Sequence, residues 1–196
     1  MLRCALALFT AVIFTISAAA ATETWQIDPA HSAAQFSIRH MGISTVRGDF
    51  TKTSGTVDYD PDDVSKSSLD VTIDAASINT RVDGRDNDLR GDHFFDVQKY
   101  PNITFKSKRV ESAGAGKLKV TGDLTMHGVT KQVVLDVDGP SKPFKDPRGR
   151  VHMGASATTT INRSDYGMTA AAGMVGNEVS ITIDVELQRS SGEAGK

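Results

Sequence analysis

The stretch Asp92–Phe105 reads DHFFDVQKYPNITF, and it joins the only convincing helical sequence of the chain to a β-strand. The preceding segment, Arg81–Gly91, is polar and charged, as in an exposed helix. Ile103 and Phe105 then alternate with polar residues, which is typical of a strand with one buried face. The stretch therefore predicts a helical plug whose paired phenylalanines point towards a β core, although the same pair would also serve as ordinary core filler.

Apolar and polar residues alternate along most of the remaining chain, with turn residues between the runs. The longest runs are Leu118–Met126, Val151–Ile161 and Val179–Leu187, while Gly139–Gly149 is expected to be an exposed loop. About eight strands are expected, the number at which a closed barrel encloses its own side chains or one small ligand. Pairing of the last strand with the first would remove both free edges. The pattern thus favours an all-β antiparallel barrel with a short helical insert.

Four positions on the predicted inward face are small: Gly48, Gly122, Ala155 and Ala157. Small residues among large ones leave volume unfilled, and an apolar void favours an apolar guest. The alternative is that the small residues mark bulges and sharp strand coiling. The sequence leaves both interpretations open.

Residues 1–21 have the features of a cleaved signal peptide, with Arg3 before the apolar run Ala5–Ile16 and a tail of small residues. That run is too short for a bilayer span of about 20 residues. Cys4 is the only cysteine, so disulfides and thiol chemistry are excluded after cleavage. We therefore expect a periplasmic protein, with residues 22–190 as one domain and residues 191–196 as a disordered tail.

The charges of the chain are nearly balanced. There are 22 Lys and Arg against 24 Asp and Glu, so loss of Arg3 leaves a net charge of about −3 with neutral histidines. No run of like charges stands out, which argues against nucleic acid as a partner and against a membrane surface bound through charge.

The histidines form none of the spaced pairs typical of zinc enzymes; they stand at positions 31, 40, 93, 127 and 152. His31 and Ser32 resemble a base beside a nucleophile, but adjacent strand residues point to opposite faces. Asp92 and Asp96 are explained by a helix cap and a surface charge. We therefore predict no catalytic residue, no metal site and no cofactor, and we expect the protein not to be an enzyme.

Several blocks of the sequence together resemble the YceI-like family, and they cover nearly all of the chain after residue 21. The blocks are DPAHSAAQFSIRHMGISTVRGDF (28–50), INTRVDGRDNDLRGDHFFDVQKYPNITFKS (78–107), GDLTMHGVTKQV (122–133), INRSDYGM (161–168) and GNEVSITIDVEL (176–187). The resemblance implies an eight-stranded, lipocalin-like barrel over residues 22–190 that holds a polyisoprenoid or another long-chain lipid. It also implies export, a link to envelope stress in some members, and a homodimer.

The alternation along each strand predicts which side chains point into the barrel and would contact such a lipid. The predicted lining consists of Phe36, Ile38, Val46, Phe50, Leu69, Val71, Ile73, Ile103, Phe105, Val120, Leu124, Leu135, Met153, Ile181 and Ile183, with Phe94 and Phe95 at one end and Met168 and Met174 on the irregular connection 162–176. The candidates for contact with a polar head group are His31, Arg90, His93 and Arg163; as an alternative, each would make only surface or turn hydrogen bonds.

Three functions are compatible with these features. The first is a periplasmic carrier of a long-chain isoprenoid lipid. The second is a binder of another apolar ligand, such as a fatty acid or fatty amide. The third is an enzyme that acts on a bound lipid through His and Asp residues at the mouth of the barrel.

Overall fold

The computed structural model describes residues 22–190, so the predicted signal peptide and the predicted tail lie outside the described residues. The strands are β1 (Glu23–Ile27), β2 (Ala33–His40), β3 (Ser44–Phe50), β4 (Thr53–Tyr59), β5 (Ser68–Asp74), β6 (Ile78–Asn79), β7 (Asn102–Ser112), β8 (Lys117–Met126), β9 (Val129–Asp138), β10 (Phe144–Lys145), β11 (Val151–Asn162) and β12 (Val175–Arg189). The α-helix is α1 (Asp83–Arg90), and three 3-10 turns cover Val64–Lys66, Ala75–Ser77 and Arg163–Tyr166.

Eight strands close into an antiparallel ring in the order β1, β4, β5, β7, β8, β9, β11 and β12. The last strand closes the ring, because β12 pairs with β1 at Ile27 and Leu187 and with β11 along its other edge. The predicted eight-stranded antiparallel barrel is therefore confirmed, as is the pairing of the last strand with the first.

Three further segments prolong strands of the ring beyond bends. β1 continues as β2 after the turn at residues 28–32, β3 leads into β4 after two residues, and β5 continues as β6 after the turn Ala75–Ser77. β2 pairs with β12 and β3, and β3 pairs with β6. The short β10 pairs only with β11. The strands of the sheet thus amount to eight long strands, three of them bent.

The barrel has two different ends. We call the first the helix end; it carries α1, the β2–β3 tip at residues 41–43, the β8–β9 turn at residues 127–128 and the connection 163–174. We call the second the Trp25 end; it carries the start of β1, the end of β12 and the loops 60–67 and 139–150. The predicted exposed loop 139–149 thus lies at the Trp25 end, and eight of its eleven residues are exposed.

The predicted helical plug is only partly correct. α1 ends at Arg90, and residues 91–100 form successive turns, so Phe94 and Phe95 lie beyond the helix. The Arg90 guanidinium donates to the carbonyl oxygens of Ala76 and Ile78, at 2.8 Å each, and this ties the helix to β6. Within residues 22–190, no helix combines the length and the apolar character needed to cross a bilayer.

The interpretation of Gly48 and Gly122 as unfilled volume is wrong. A Cβ at Gly48 would lie 2.6 Å from Cζ of Phe36, and a Cβ at Gly122 would lie 2.4 Å from Cζ of Phe105. Each glycine therefore makes room for a phenyl ring of the adjacent strand. A bulge in β7, between Ser107 and Arg109, adjoins Gly122, in agreement with the alternative that small residues mark bulges.

Candidate functional site: an apolar cavity inside the barrel

The barrel encloses a cavity of about 600 Å³, within the range of about 300–1,000 Å³ that is usual for small-molecule sites. Aliphatic and aromatic side chains form most of its wall, because the inward-facing residues of the alternating strands are apolar. All of the residues predicted to line the interior do line it. Their contact with a ligand stays a prediction.

The wall also contains residues that the sequence analysis did not single out. They are the inward apolar residues Ile27, Val57, Val110, Leu118, Met126, Val133, Val137, Ile161, Val179, Val185 and Leu187. Most of them lie at inward-facing positions of strands whose alternation had already been assigned, so extending the same alternation along each strand would have identified them. Val110 is different, because the bulge between Ser107 and Arg109 reverses the parity after Phe105.

A row of phenyl rings leads from the wall to the helix end. The rings of Phe36 and Phe50 lie 5.9 Å apart, and Phe95 meets Phe50 edge-on with 5.6 Å between the ring centroids. Phe94 lines the cavity beside them and remains half-buried. Both phenylalanines of the opening stretch therefore line the cavity, and Phe95 also packs against Phe50 and the core.

The charged side chains that line the cavity all belong to the helix end: His40, Arg85, Asp88 and Arg163. Arg85 and Asp88 are three residues apart on α1 and hence on one helix face, followed by Leu89, which also lines the cavity. The Arg85 guanidinium donates to the hydroxyl and the carbonyl of Thr80, at 2.7 and 2.8 Å. The spacing of these helix residues is the signal that the sequence analysis missed.

Arg163 is the one predicted head-group residue that lines the cavity, but its guanidinium is already occupied. It is buried and donates to the carbonyl oxygens of Gly176, Met168 and Ala170 at 2.7–2.8 Å, and to that of Val175 at 3.1 Å. Burial lowers the pKa of Arg163 from its ordinary value. In this arrangement Arg163 holds the connection 163–174 in place.

The other three head-group candidates do not line the cavity. Arg90 binds backbone carbonyls of the β5–β6 segment, as described above. The side chain of His93 is 83% exposed beside Asp92. His31 lies in the turn between β1 and β2. The structure therefore does not bring the four candidates together at one mouth.

The comparisons with known proteins agree with this architecture. The model of the YceI-like domain family matches residues 25–187. The chain belongs to the YceI-like family. A UPF0312 protein of Vibrio cholerae is 35% identical over 189 residues, which cover 95% of this chain and 96% of that protein.

Solved structures share the YceI-like barrel. The YceI protein of Campylobacter jejuni is 36% identical and superposes with a TM-score of 0.70 over 78% of this chain and 90% of its own. A polyisoprenoid-binding domain from Saccharophagus degradans is 18% identical, with a TM-score of 0.62 over 86% of this chain and 99% of its own. At that identity, the second likeness concerns the fold alone.

A cluster of histidines and carboxylates lies in the wall of this YceI-like barrel, outside the cavity lining. The Asp28 carboxylate and the His31 ring nitrogen are 2.9 Å apart. Their hydrogen bond lowers the pKa of Asp28 and raises the pKa of His31. Glu186 completes a group whose ligand atoms lie within 4.8 Å of one another, and it also contacts His152 at 2.9 Å. His152 also lies 3.4 Å from Asp146.

A second cleft of about 440 Å³ lies at the helix end and shares Arg163, Met168, Met174 and Val175 with the cavity wall. Arg39 near the end of β2 and Gly42 of the β2–β3 tip form one side, and residues 163–177 supply the other. The helix end therefore presents a second cleft, lined by both polar and apolar residues, next to the apolar cavity.

Proposed function

We propose that the protein is a periplasmic carrier that holds a long-chain isoprenoid lipid inside the barrel. The observation that carries the proposal is the polarity of the cavity. Its wall is aliphatic and aromatic along the barrel, and its charged groups are confined to the helix end. This distribution fits an amphiphile whose tail lies in the barrel and whose polar head lies near Arg85 and Asp88.

Burial of the tail supplies the binding free energy. Removal of apolar surface from water contributes about 25 cal/mol per Å². A tail that buries several hundred Å² therefore gains on the order of 10 kcal/mol before the losses of ordering and association are subtracted. A charged anchor for the head group is not required. A domain described as polyisoprenoid-binding, from Saccharophagus degradans, shares this fold, and an isoprenoid is therefore the first lipid to test.

Mass spectrometry of organic extracts from the natively purified protein tests the proposal. A co-purifying polyprenyl species is the expected result. A fatty acyl or fatty amide species would contradict the isoprenoid but keep the lipid-binding role. Protein that carries no lipid and takes up neither class on incubation would contradict both.

Two tryptophan substitutions on β11 localise the binding to the cavity. Ala157 lines the cavity, whereas its neighbour Thr158 faces outwards. Ala157→Trp is expected to occupy the cavity and to abolish lipid uptake, while Thr158→Trp should leave uptake unchanged. Circular dichroism checks that both variants fold. Equal uptake by both folded variants would contradict binding inside the barrel.

The location and the absence of turnover are parts of the same proposal. The periplasmic location rests on the signal-peptide features of residues 1–21, and N-terminal sequencing of the protein from the periplasmic fraction tests it. A role in envelope stress rests on the family resemblance. Binding without chemistry predicts that the extracted lipid is recovered unchanged after long incubation. Turnover that disappears in His31→Ala or His93→Ala would instead identify an enzyme.

A further inference from the structure

The helix end exposes apolar side chains that the fold does not bury. Large apolar residues with much of their surface exposed include Met41 at 55%, Ile43 at 79%, Val82 at 49% and Met174 at 55%. Met41 and Ile43 form the β2–β3 tip, Val82 immediately precedes α1, and Met174 immediately precedes β12. We call these four residues the apolar rim.

The apolar rim is continuous with the cavity. The Met41 N–H donates to the Met174 carbonyl at 2.6 Å, so the tip and the connection 163–174 are in contact. Met174 itself lines the cavity. Ile38 and Val46, on the strands that lead to the tip, line it as well. An apolar molecule that leaves the cavity at this end therefore meets apolar side chains as far as the outer surface.

Folding alone does not account for the residues of the tip. Met41 has a φ of 51° and Gly42 a φ of 69°. Asn and Gly are the ordinary residues for positive φ in a hairpin turn, whereas a long apolar side chain is uncommon there. Ile43 is among the most exposed apolar residues of the part of the chain that the structure describes. Two neighbouring apolar residues at an exposed tip indicate a surface that is covered in use.

Two arginines flank the tip without a carboxylate partner. Arg39 donates to the Thr45 hydroxyl at 2.8 Å and to the Gly42 carbonyl at 2.6 Å, and it borders the second cleft. Among residues 22–190, neither Arg39 nor Arg47 forms an ion pair. Within residues 22–190, Lys142, Lys145 and Arg148 of the Trp25 end likewise form no ion pair, so the tip is distinguished by arginines that adjoin the apolar rim beside the cavity. The tip is therefore suited to an anionic surface.

We propose that the apolar rim docks the barrel onto an anionic phospholipid bilayer. Met41, Ile43 and Met174 enter the boundary between head groups and acyl chains, and Arg39 and Arg47 meet the lipid phosphates. The inference rests on the proposed function, because a mouth seated on the bilayer lets an isoprenoid enter or leave without crossing water. The net charge of about −3 opposes approach to an anionic surface, so apolar contact must supply most of the attraction and the two arginines act locally.

Flotation of the full chain with vesicles tests the docking. We expect binding to vesicles of phosphatidylcholine and phosphatidylglycerol that weakens as salt is raised, and weaker binding to phosphatidylcholine alone. Wild-type protein that floats with neither kind of vesicle would overturn the inference.

Substitutions at the two ends provide a matched comparison. Ile43→Asp is expected to weaken vesicle binding about tenfold or more, because it removes the most exposed apolar side chain of the rim and adds a repelled charge. Arg39→Gln and Arg47→Gln should each weaken binding to anionic vesicles about fivefold. Phe144→Asp is the control, since Phe144 is 65% exposed on β10 outside the rim. Equal loss in Phe144→Asp and Ile43→Asp would contradict docking through the rim.

Two measurements separate this inference from the proposed function. Lipid uptake from detergent-free solution should be the same in Ile43→Asp and in the wild type, because Ile43 does not line the cavity. Vesicle binding without isoprenoid uptake would refute the proposed function and leave the docking intact. Sedimentation without vesicles tests whether a second copy of the chain, instead of a bilayer, covers the rim. A dimer that dissociates in Ile43→Asp would show that it does and would overturn the inference.

Discussion

The two ends of the barrel differ in what fills them. At the Trp25 end, Trp25 is fully buried and packs with Ile27, Met153 and Leu187. At the helix end, charged side chains line the cavity, and four of the exposed large apolar side chains of residues 22–190 lie there, against Phe144 at the Trp25 end. The Trp25 end thus resembles an ordinary protein core, whereas the helix end departs from the rules of a stable core. Such departures are expected where a protein contacts a ligand or a partner.

The helix end is nevertheless not loosely built. Arg163 binds the carbonyl oxygens of the connection 163–174, and Arg90 ties the helix to β6. Tyr166, in the same connection, is buried next to Met168 and Ile161. The polar and exposed features of this end are therefore held in fixed positions by buried anchors.

The largest effect on stability is expected from Trp25→Ala. Loss of a fully buried tryptophan costs about 3–5 kcal/mol, because a cavity remains. Phe94→Ala at the helix end should cost clearly less, about 1 kcal/mol, since Phe94 is half-buried. Urea unfolding followed by circular dichroism measures both free energies of unfolding. Equal losses would show that the two ends contribute alike to stability, and the comparison above would fail.

The next effect concerns the wall that both ends share. Gly122→Ala places a methyl group against the ring of Phe105, 2.4 Å from Cζ, so the ring must move. Overpacking of this kind costs about 1–3 kcal/mol. Gly84→Ala in α1 is the control: no atom lies within 4 Å of its Cβ, and the helix should gain about 0.5–1 kcal/mol. Urea unfolding that gives the same sign for both substitutions would contradict the packing of Phe105 over Gly122.

A smaller, pH-dependent effect is expected at the helix end. Burial raises the pKa of Tyr166 from 10.0 to about 12. The folded state therefore keeps the phenolic proton to a higher pH than the unfolded state. The contribution of the neutral phenol to the free energy of unfolding is fully present below pH 10 and is lost as the pH rises towards 12. Titration of tyrosinate absorbance should show this late step.

Tyr166→Phe supplies the control for the alkaline titration. It should abolish the step at little cost, because the buried hydroxyl has no hydrogen-bond partner among the described residues. A late step that persists in Tyr166→Phe would belong to another residue and would contradict the assignment.

The smallest effect is expected in the loop 139–150 of the Trp25 end. Burial alone would raise the pKa of Asp146, but the N–H and the guanidinium of Arg150 and the N–H of Arg148 outweigh it and lower the pKa to about 2. The stabilisation is therefore present above pH 3.8 and lost as the pH falls towards 2.

Amide hydrogen exchange can follow this loss residue by residue. Protection at Arg150 should decrease between pH 4 and 2, once the intrinsic effect of pH on exchange is removed. The protection of backbone amides at the helix end should not change with the titration of Asp146. Asp146→Asn should show the low protection already at neutral pH, and unchanged protection at Arg150 in that variant would contradict the role of the carboxylate.

The sequence supported the barrel because alternation is a local property with a single physical meaning. An apolar residue at every second position specifies one buried face, and closure of the sheet follows from the need to pair its edges. The lining from Phe36 to Ile183 could be predicted on that basis. The role of Gly122 stayed open in the sequence, because the ring that covers it comes from a neighbouring strand. Val110 was missed because one extra residue in β7 reversed the alternation.

The polar part of the site was beyond local reasoning for a different reason. His31, Arg90 and Arg163 were chosen by residue type, yet they bind Asp28, the carbonyls near β6 and the connection 163–174, respectively. A polar side chain is available to a ligand only if its hydrogen-bonding groups are not already used. Residue type alone does not show that Asp28, three residues from His31, or backbone carbonyls 5 to 14 residues from the two arginines, use them.

By itself, the sequence determined an all-β chain with one apolar face and a wall suited to an apolar interior. The tertiary structure decided which end of the barrel is packed, which end carries charge, and which apolar residues remain outside. The physical reason is that the local pattern of apolar residues determines which face of a strand is buried. Which side chains then contact each other depends on the strands that the closed barrel brings together.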